Sequence, residues 1–229
     1  MKKNTNISGY LLILASICFF ASWWLMPDPG TTNTKHILSI VQQSRIQVLS
    51  SVIIQIISSV LYTIAAFVLI RNNRIQKTAF AGSVLLAIGA MGLCADAFFH
   101  LLAYYMTSNN VTIQQDVVMV MNYMQTDALV FLIPLLLPFI AGSILLTAGL
   151  DKQAVISKWP RRTIIAALLF GLAGAIITRS AGSVSGAALS MMVLALFSVA
   201  QIHAGLQLVS RRKTVAQMRW SMAATLQKA

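Results

Sequence analysis

The chain is 229 residues long, 58% of them hydrophobic and only 10% charged, and its apolar residues fall in runs too long for the amphipathic helices of a water-soluble domain. The net charge of +12 is the one feature pointing toward nucleic acid. Its lysines and arginines, however, stand in short segments between apolar runs, where positive charge sets membrane orientation. Composition therefore predicts an all-α integral membrane bundle with the lipid bilayer as its main partner, and no nucleic acid. A spanning helix takes roughly 20 apolar residues, so this length accommodates about six and leaves no separate soluble domain.

The first predicted span covers 8–26. Lys2 and Lys3 ahead of it imitate a signal peptide, but the apolar stretch ends in Trp23 and Trp24 without a small-x-small cleavage pattern, so an uncleaved helix is expected. Bulky Ile17 before Cys18, within an unbroken apolar run, argues against a lipoprotein site. Pro27-Asp28-Pro29-Gly30 stops the helix. Beyond it, Ile37, Leu38, Val41 and Ile46 recur near helical spacing, which predicts a short helix on the outer membrane surface.

The second span, 48–70, carries Gln55 and the serines Ser50, Ser51, Ser58 and Ser59, groups that in lipid turn inward and bond neighbouring helices. The third, 79–106, would be roughly 42 Å long at 1.5 Å per residue and must tilt or protrude from a hydrocarbon layer of about 30 Å. Val117, Val118, Val120, Met121 and Met124 predict a second outer helix. The fourth span, 127–150, contains Pro134 and Pro138, which remove backbone hydrogen bonds and bend a helix.

Spans five and six are placed at 163–177 and 183–209, joined by a tight turn around Arg179 to Gly182. Ala167, Gly171 and Ala175 in one, and Gly182, Gly186 and Ser190 in the other, form small-residue stripes for close helix approach, within the chain or in a homo-oligomer. These spans make a single domain over 1–210. The remaining 211–229 opens with Arg211-Arg212-Lys213 and sets Val215, Met218, Met222 and Leu226 near one face, a cytoplasmic amphipathic helix for anionic lipid headgroups.

A cytoplasmic N-terminus puts Lys2, Lys3, Arg71, Arg74, Lys77, Lys152, Lys158, Arg161, Arg162, Arg211, Arg212, Lys213, Arg219 and Lys228 inside and only Lys35, Arg45 and Arg179 outside. Both termini are therefore predicted to be cytoplasmic. Cys18 and Cys94 lie within apolar runs, without metal spacing, and are read as packing groups.

Acids are scarce: five Asp and no Glu. Asp96 is the one carboxylate well inside an apolar run, and His100 follows it by four residues, on the same helix face. An ionisable pair at that depth is costly unless it is paired or faces a wet cavity. Three readings are open. In the first, Asp96 pairs with Arg45 or Arg179 in a purely structural or subunit role, with His100 bonding a carbonyl or a tyrosine. Asp96 and His100, with Asp127, His36, Gln55, Tyr104 and Arg179 at the same end, form an outward-facing polar pocket for a small ligand or ion. Or the pair binds a metal such as zinc and supports hydrolysis of a lipid or amide, although His203 in span six lies too far along the bundle to join it. No nucleophile elbow, phosphate loop, dinucleotide fingerprint or HExxH is present, so no catalytic residue and no cofactor is assigned.

Ile37-Leu38 leading into Arg45-Ile46, a second span ending Leu69-Ile70-Arg71, the segment Gly142-Ser143-Ile144-Leu145-Leu146 and Trp159-Pro160 together resemble an uncharacterised six-helix family of bacterial inner-membrane proteins. The resemblance covers most of the chain and implies a location in the inner membrane. It brings no activity and no site residues.

Overall fold

Long apolar segments satisfy their backbone hydrogen bonds internally only as helices when water is excluded. In the computed structural model, which describes residues 4–27, 33–71, 76–108, 115–181 and 186–226, the described residues form helices and no strand. In chain order they are α1 (Asn4–Leu25), α2 (Thr34–Gln43), α3 (Arg45–Ile70), α4 (Lys77–Met106), α5 (Gln115–Thr126), α6 (Leu129–Lys152), α7 (Trp159–Ala181) and α8 (Gly186–Leu226). Five of these, α1, α3, α4, α6 and α8, are long and apolar enough to cross a membrane. Their outward faces carry Ile53, Phe67, Met91 and Phe131, side chains suited to lipid contact.

The long helices close a ring. Passing around it, α1 packs on α3, α3 on α4, α4 on α6, α6 on α7, α7 on α8 and α8 back on α1. Among the described residues the α6–α7 contact is the sparsest of the six. At the centre, Phe19, Tyr62, Phe139 and Phe197 meet, with Tyr62 and Phe139 edge-to-face at 4.9 Å and Phe139 and Phe197 at 5.4 Å. The two surface helices pack on each other at one end, where Thr34 Oγ1 of α2 donates to Gln125 Oε1 of α5 at 2.9 Å. Beneath them Met26, Leu38, Val41, Val48, Ala103 and Met121 form a second apolar cluster.

Helix ends differ from the hydropathy boundaries in an instructive way. α7 extends the 163–177 segment at both ends and takes in Arg161, Arg162 and Arg179, because long basic side chains can run along a helix to the interface without breaking it. α8 continues for 41 residues through Arg211. Nothing between Leu206 and Leu226 is Gly or Pro, so the basic tail prolongs the last helix instead of starting a new one. Asp127 precedes α6 and lies in the turn between α5 and α6.

The closest backbone approach is between α4 and α6. A Cβ added at Gly89 would stand 2.0 Å from Phe139 N, at Gly92 2.3 Å from Leu135 O, and at Gly82 2.2 Å from Leu146 N. From the other side, Gly142 meets Leu86 and Gly149 meets Ala79 at 2.3 Å. These contacts run antiparallel in one register from Ala79 to Gly92 on α4 and from Gly149 back to Leu135 on α6. The stripe expected in spans five and six is looser: Gly171 faces the Val193 side chain at 3.3 Å, and Ala167 is buried. Gly182 and the side chains at Ala175 and Gly186 lie outside the described residues, and Ser190 is half-buried.

Gly89→Ala is accordingly expected to lower stability by about 1–3 kcal/mol through overpacking, against the gain of about 1 kcal/mol that Ala brings to a helix interior. Gly171→Ala should be neutral or stabilising. Thermal unfolding of both variants in one detergent checks the contrast.

Candidate functional site

Asp96 sits on the inner face of α4, three residues after Leu93, and its side chain is 14% exposed. Gln55 of α3, fully buried, donates from Nε2 to Asp96 Oδ2 at 2.7 Å and to the Leu93 carbonyl at 3.3 Å. His100, one turn further along α4, brings Nδ1 to 3.9 Å from the same carboxylate oxygen, too far for a hydrogen bond. Its ring stands perpendicular to that of Trp23 in α1, centroids 6.0 Å apart. Among the described residues neither His100 Nδ1 nor Trp23 Nε1 has a hydrogen-bond partner.

The rest of α3 explains why Gln55 is so well placed. Ser51 and Ser58 donate to the Ser22 and Ala15 carbonyls of α1 at 2.7 and 2.8 Å, and Ser59 donates to the Ala90 carbonyl of α4. Each hydroxyl fixes the rotation of α3 between its neighbours, since an unpaired hydroxyl in this interior would cost more than the bond gains. Ser16 and the Tyr62 hydroxyl, 2.9 Å apart, add a further α1–α3 link.

Asp96 borders a cavity of about 220 Å³ inside the ring. α1 contributes Phe19 and Trp23, α4 Leu93 and Asp96, α6 Leu136, Phe139 and Ile140, α7 Ala167 and Leu168, and α8 Val193, Leu194 and Phe197. Among these wall residues Asp96 is the only one that carries a formal charge. The space is thus an apolar, aromatic chamber with a single carboxylate at its edge.

The predicted site residues separate into groups. Asp96, His100 and Gln55 come together. Arg45 and Tyr104 pair with each other: the guanidinium lies 4.1 Å from the Tyr104 ring centroid, and Nη1 donates to the Tyr104 and Thr107 carbonyls at 3.0 and 2.6 Å. Arg45 thereby serves the C-terminal end of α4, where carbonyls lack helical partners, and is not the ion-pair partner of Asp96. His36 is exposed in the first turn of α2 and Asp127 is exposed in its turn. Arg179 stands in the last turn of α7, with its side chain outside the described residues. The His203 ring is tilted against that of Trp159, centroids 4.7 Å apart, and its Nε2 lies 2.5 Å from Gln207 Nε2.

Sequence reasoning missed the aromatic wall. Phe19 and Trp23 stand four residues apart on α1, as Asp96 and His100 do on α4, so each pair shares a helix face. That spacing was legible, but it marks any buried face equally well.

Gln55→Leu should lower thermal stability by about 1–3 kcal/mol, because it strips a buried carboxylate of its short donor. Asp96→Asn, which keeps an acceptor for the same amide, should cost less; the reverse order in thermal unfolding would remove Gln55 as the group that anchors Asp96. Compared with known proteins, the chain matches no family model, no curated protein and no solved structure.

Proposed function

We propose that this is a six-span protein of a bacterial inner membrane, with both termini cytoplasmic, which binds a small ligand inside the ring beside Asp96 and performs no chemistry on it. The observation that carries the binding reading is the chamber of about 220 Å³ with one carboxylate in its wall. A ligand cavity is usually apolar with a few placed polar groups, and the Asp96–Gln55 bond holds one such group in position.

Six spans rest on the five apolar helices together with α7, whose 23 residues occupy a full place in the ring. The orientation rests on the excess of Lys and Arg at the end that holds the N-terminus. The inner membrane rests on the resemblance to a six-helix bacterial family. On this reading α2 and α5 cover the outer end, and the basic end of α8 meets anionic headgroups.

The hydrolase reading has less support. A catalytic zinc takes three protein ligands and a water, and among the described residues no group of three His, Cys, Asp or Glu is close enough to hold a metal. Asp96 and His100 remain a pair.

Two experiments test the proposal. A membrane-impermeant maleimide applied to intact cells should label Lys35→Cys, in a background with Cys18 and Cys94 replaced by Ala, and should leave Lys158→Cys unlabelled. A small-molecule panel screened by melting temperature on purified protein should yield compounds that stabilise the wild type and lose that effect in Asp96→Asn and His100→Ala. A stabilising compound that acts equally on all three proteins would place its site elsewhere.

A further inference from the structure

The chamber constrains the ligand's chemistry, and this inference rests on the ligand-site reading above. We propose that the ligand is a small amphiphilic organic monocation, with an ammonium group at Asp96 and an apolar body of about one ring against Phe19, Phe139 and Phe197.

Charge is the first constraint on the ligand. Asp96 is a carboxylate in an apolar wall, and among the described residues no Lys or Arg lies within ion-pair distance of it. Arg45 is committed to the carbonyls at the end of α4. Gln55 supplies a donor but no charge, and His100 approaches only to 3.9 Å. A carboxylate held this way attracts a cation strongly and repels an anion, because screening is weak in a low-dielectric interior.

The aromatic wall is the second constraint. Phe19, Phe139 and Phe197 lie within 5.4 to 5.9 Å of one another, centroid to centroid, and Trp23 stands beside Asp96 in the lining. Aromatic faces attract organic cations through their quadrupole. A bare metal cation would need several oxygen ligands, whereas the side chains in this wall offer only one carboxylate and no hydroxyl or amide.

The third is size. A dry apolar cavity of about 150 Å³ holds a benzene ring. A chamber of about 220 Å³ therefore takes a ring with a short aminoalkyl arm.

The test uses the full-length protein in detergent and three probes of matched shape: phenethylammonium, neutral 2-phenylethanol and anionic 3-phenylpropanoate. Their affinities are measured by isothermal titration calorimetry on the wild type, on Asp96→Asn and on Ala167→Leu, which adds side-chain volume to the chamber wall on α7 and leaves Asp96 itself unchanged. Phenethylammonium should bind the wild type about tenfold or more tighter than 2-phenylethanol, as expected for a charge-assisted bond. It should lose that advantage in Asp96→Asn and lose binding altogether in Ala167→Leu, while 3-phenylpropanoate should not bind.

Equal binding of the cation and the alcohol, with both lost in Ala167→Leu, would overturn the cation assignment, with His100 neutralising Asp96 internally, and leave the chamber as a ligand site. No binding by any probe, or binding that survives Ala167→Leu, would overturn the ligand-site reading itself. Should Asp96→Asn fail to fold, the ratio between cation and alcohol on the wild type still decides the charge.

Discussion

The structure depends first on the α4–α6 seam. Lipid offers helices no hydrophobic reward for associating, so they adhere through dense van der Waals contact and interhelical hydrogen bonds. Gly82, Gly89 and Gly92 on α4, and Gly142 and Gly149 on α6, let the two backbones touch through the first half of α4. Because this pair is drawn so close, Phe139 is carried inward against Tyr62 and Phe197. α6 meets α7 more sparsely, and the chamber lies between these two kinds of contact, with Leu136 and Ile140 on one side and Ala167 and Leu168 on the other. Pro134 and Pro138 fall in the same stretch of α6, where each removes a backbone hydrogen bond.

The polar groups of the interior divide into braces and a residue left over. Ser51, Ser58 and Ser59 are spent on carbonyls of adjacent helices, and Arg45 on the end of α4. Gln55 belongs to the same row of α3 but reaches a side chain, Asp96, in place of a second brace on the backbone alone. A purely structural carboxylate would be expected to close an ion pair or a complete hydrogen-bond shell. Asp96 takes one short bond from Gln55, with His100 Nδ1 at 3.9 Å and no Lys or Arg among the described residues within ion-pair distance, and it stands at the chamber edge.

Much of this was legible in the amino-acid order because it is local. Hydropathy marks the long helices, the spacing of Ile37, Leu38 and Val41 marks α2, and the serines and Gln55 of the second long helix announce an inward polar face. The i, i+4 relation of Asp96 and His100 follows from helical geometry alone. Seven-residue spacing from Gly82 to Gly89, and again from Gly142 to Gly149, was available as well, but a small-residue stripe does not name its partner.

Tertiary structure decided the rest, because a helix face acquires meaning only when its neighbour is known. The closest packing fell to α4 and α6, whereas the stripe from Ala167 to Gly171 meets a valine side chain. Arg45, which has the right sign to pair with Asp96, is drawn to free carbonyls at a helix terminus by a nearer and better-aligned set of acceptors. Hydropathy placed the end of the sixth span at 209 and a separate helix over 211–229, while α8 runs through Arg211 without a break, because backbone hydrogen bonding does not depend on side-chain polarity. The aromatic chamber is the product of five helices converging, with Phe19, Phe139 and Phe197 far apart in sequence. The sequence by itself determined a helical membrane protein and one buried carboxylate; only the packing of those helices determined that the carboxylate borders an apolar space.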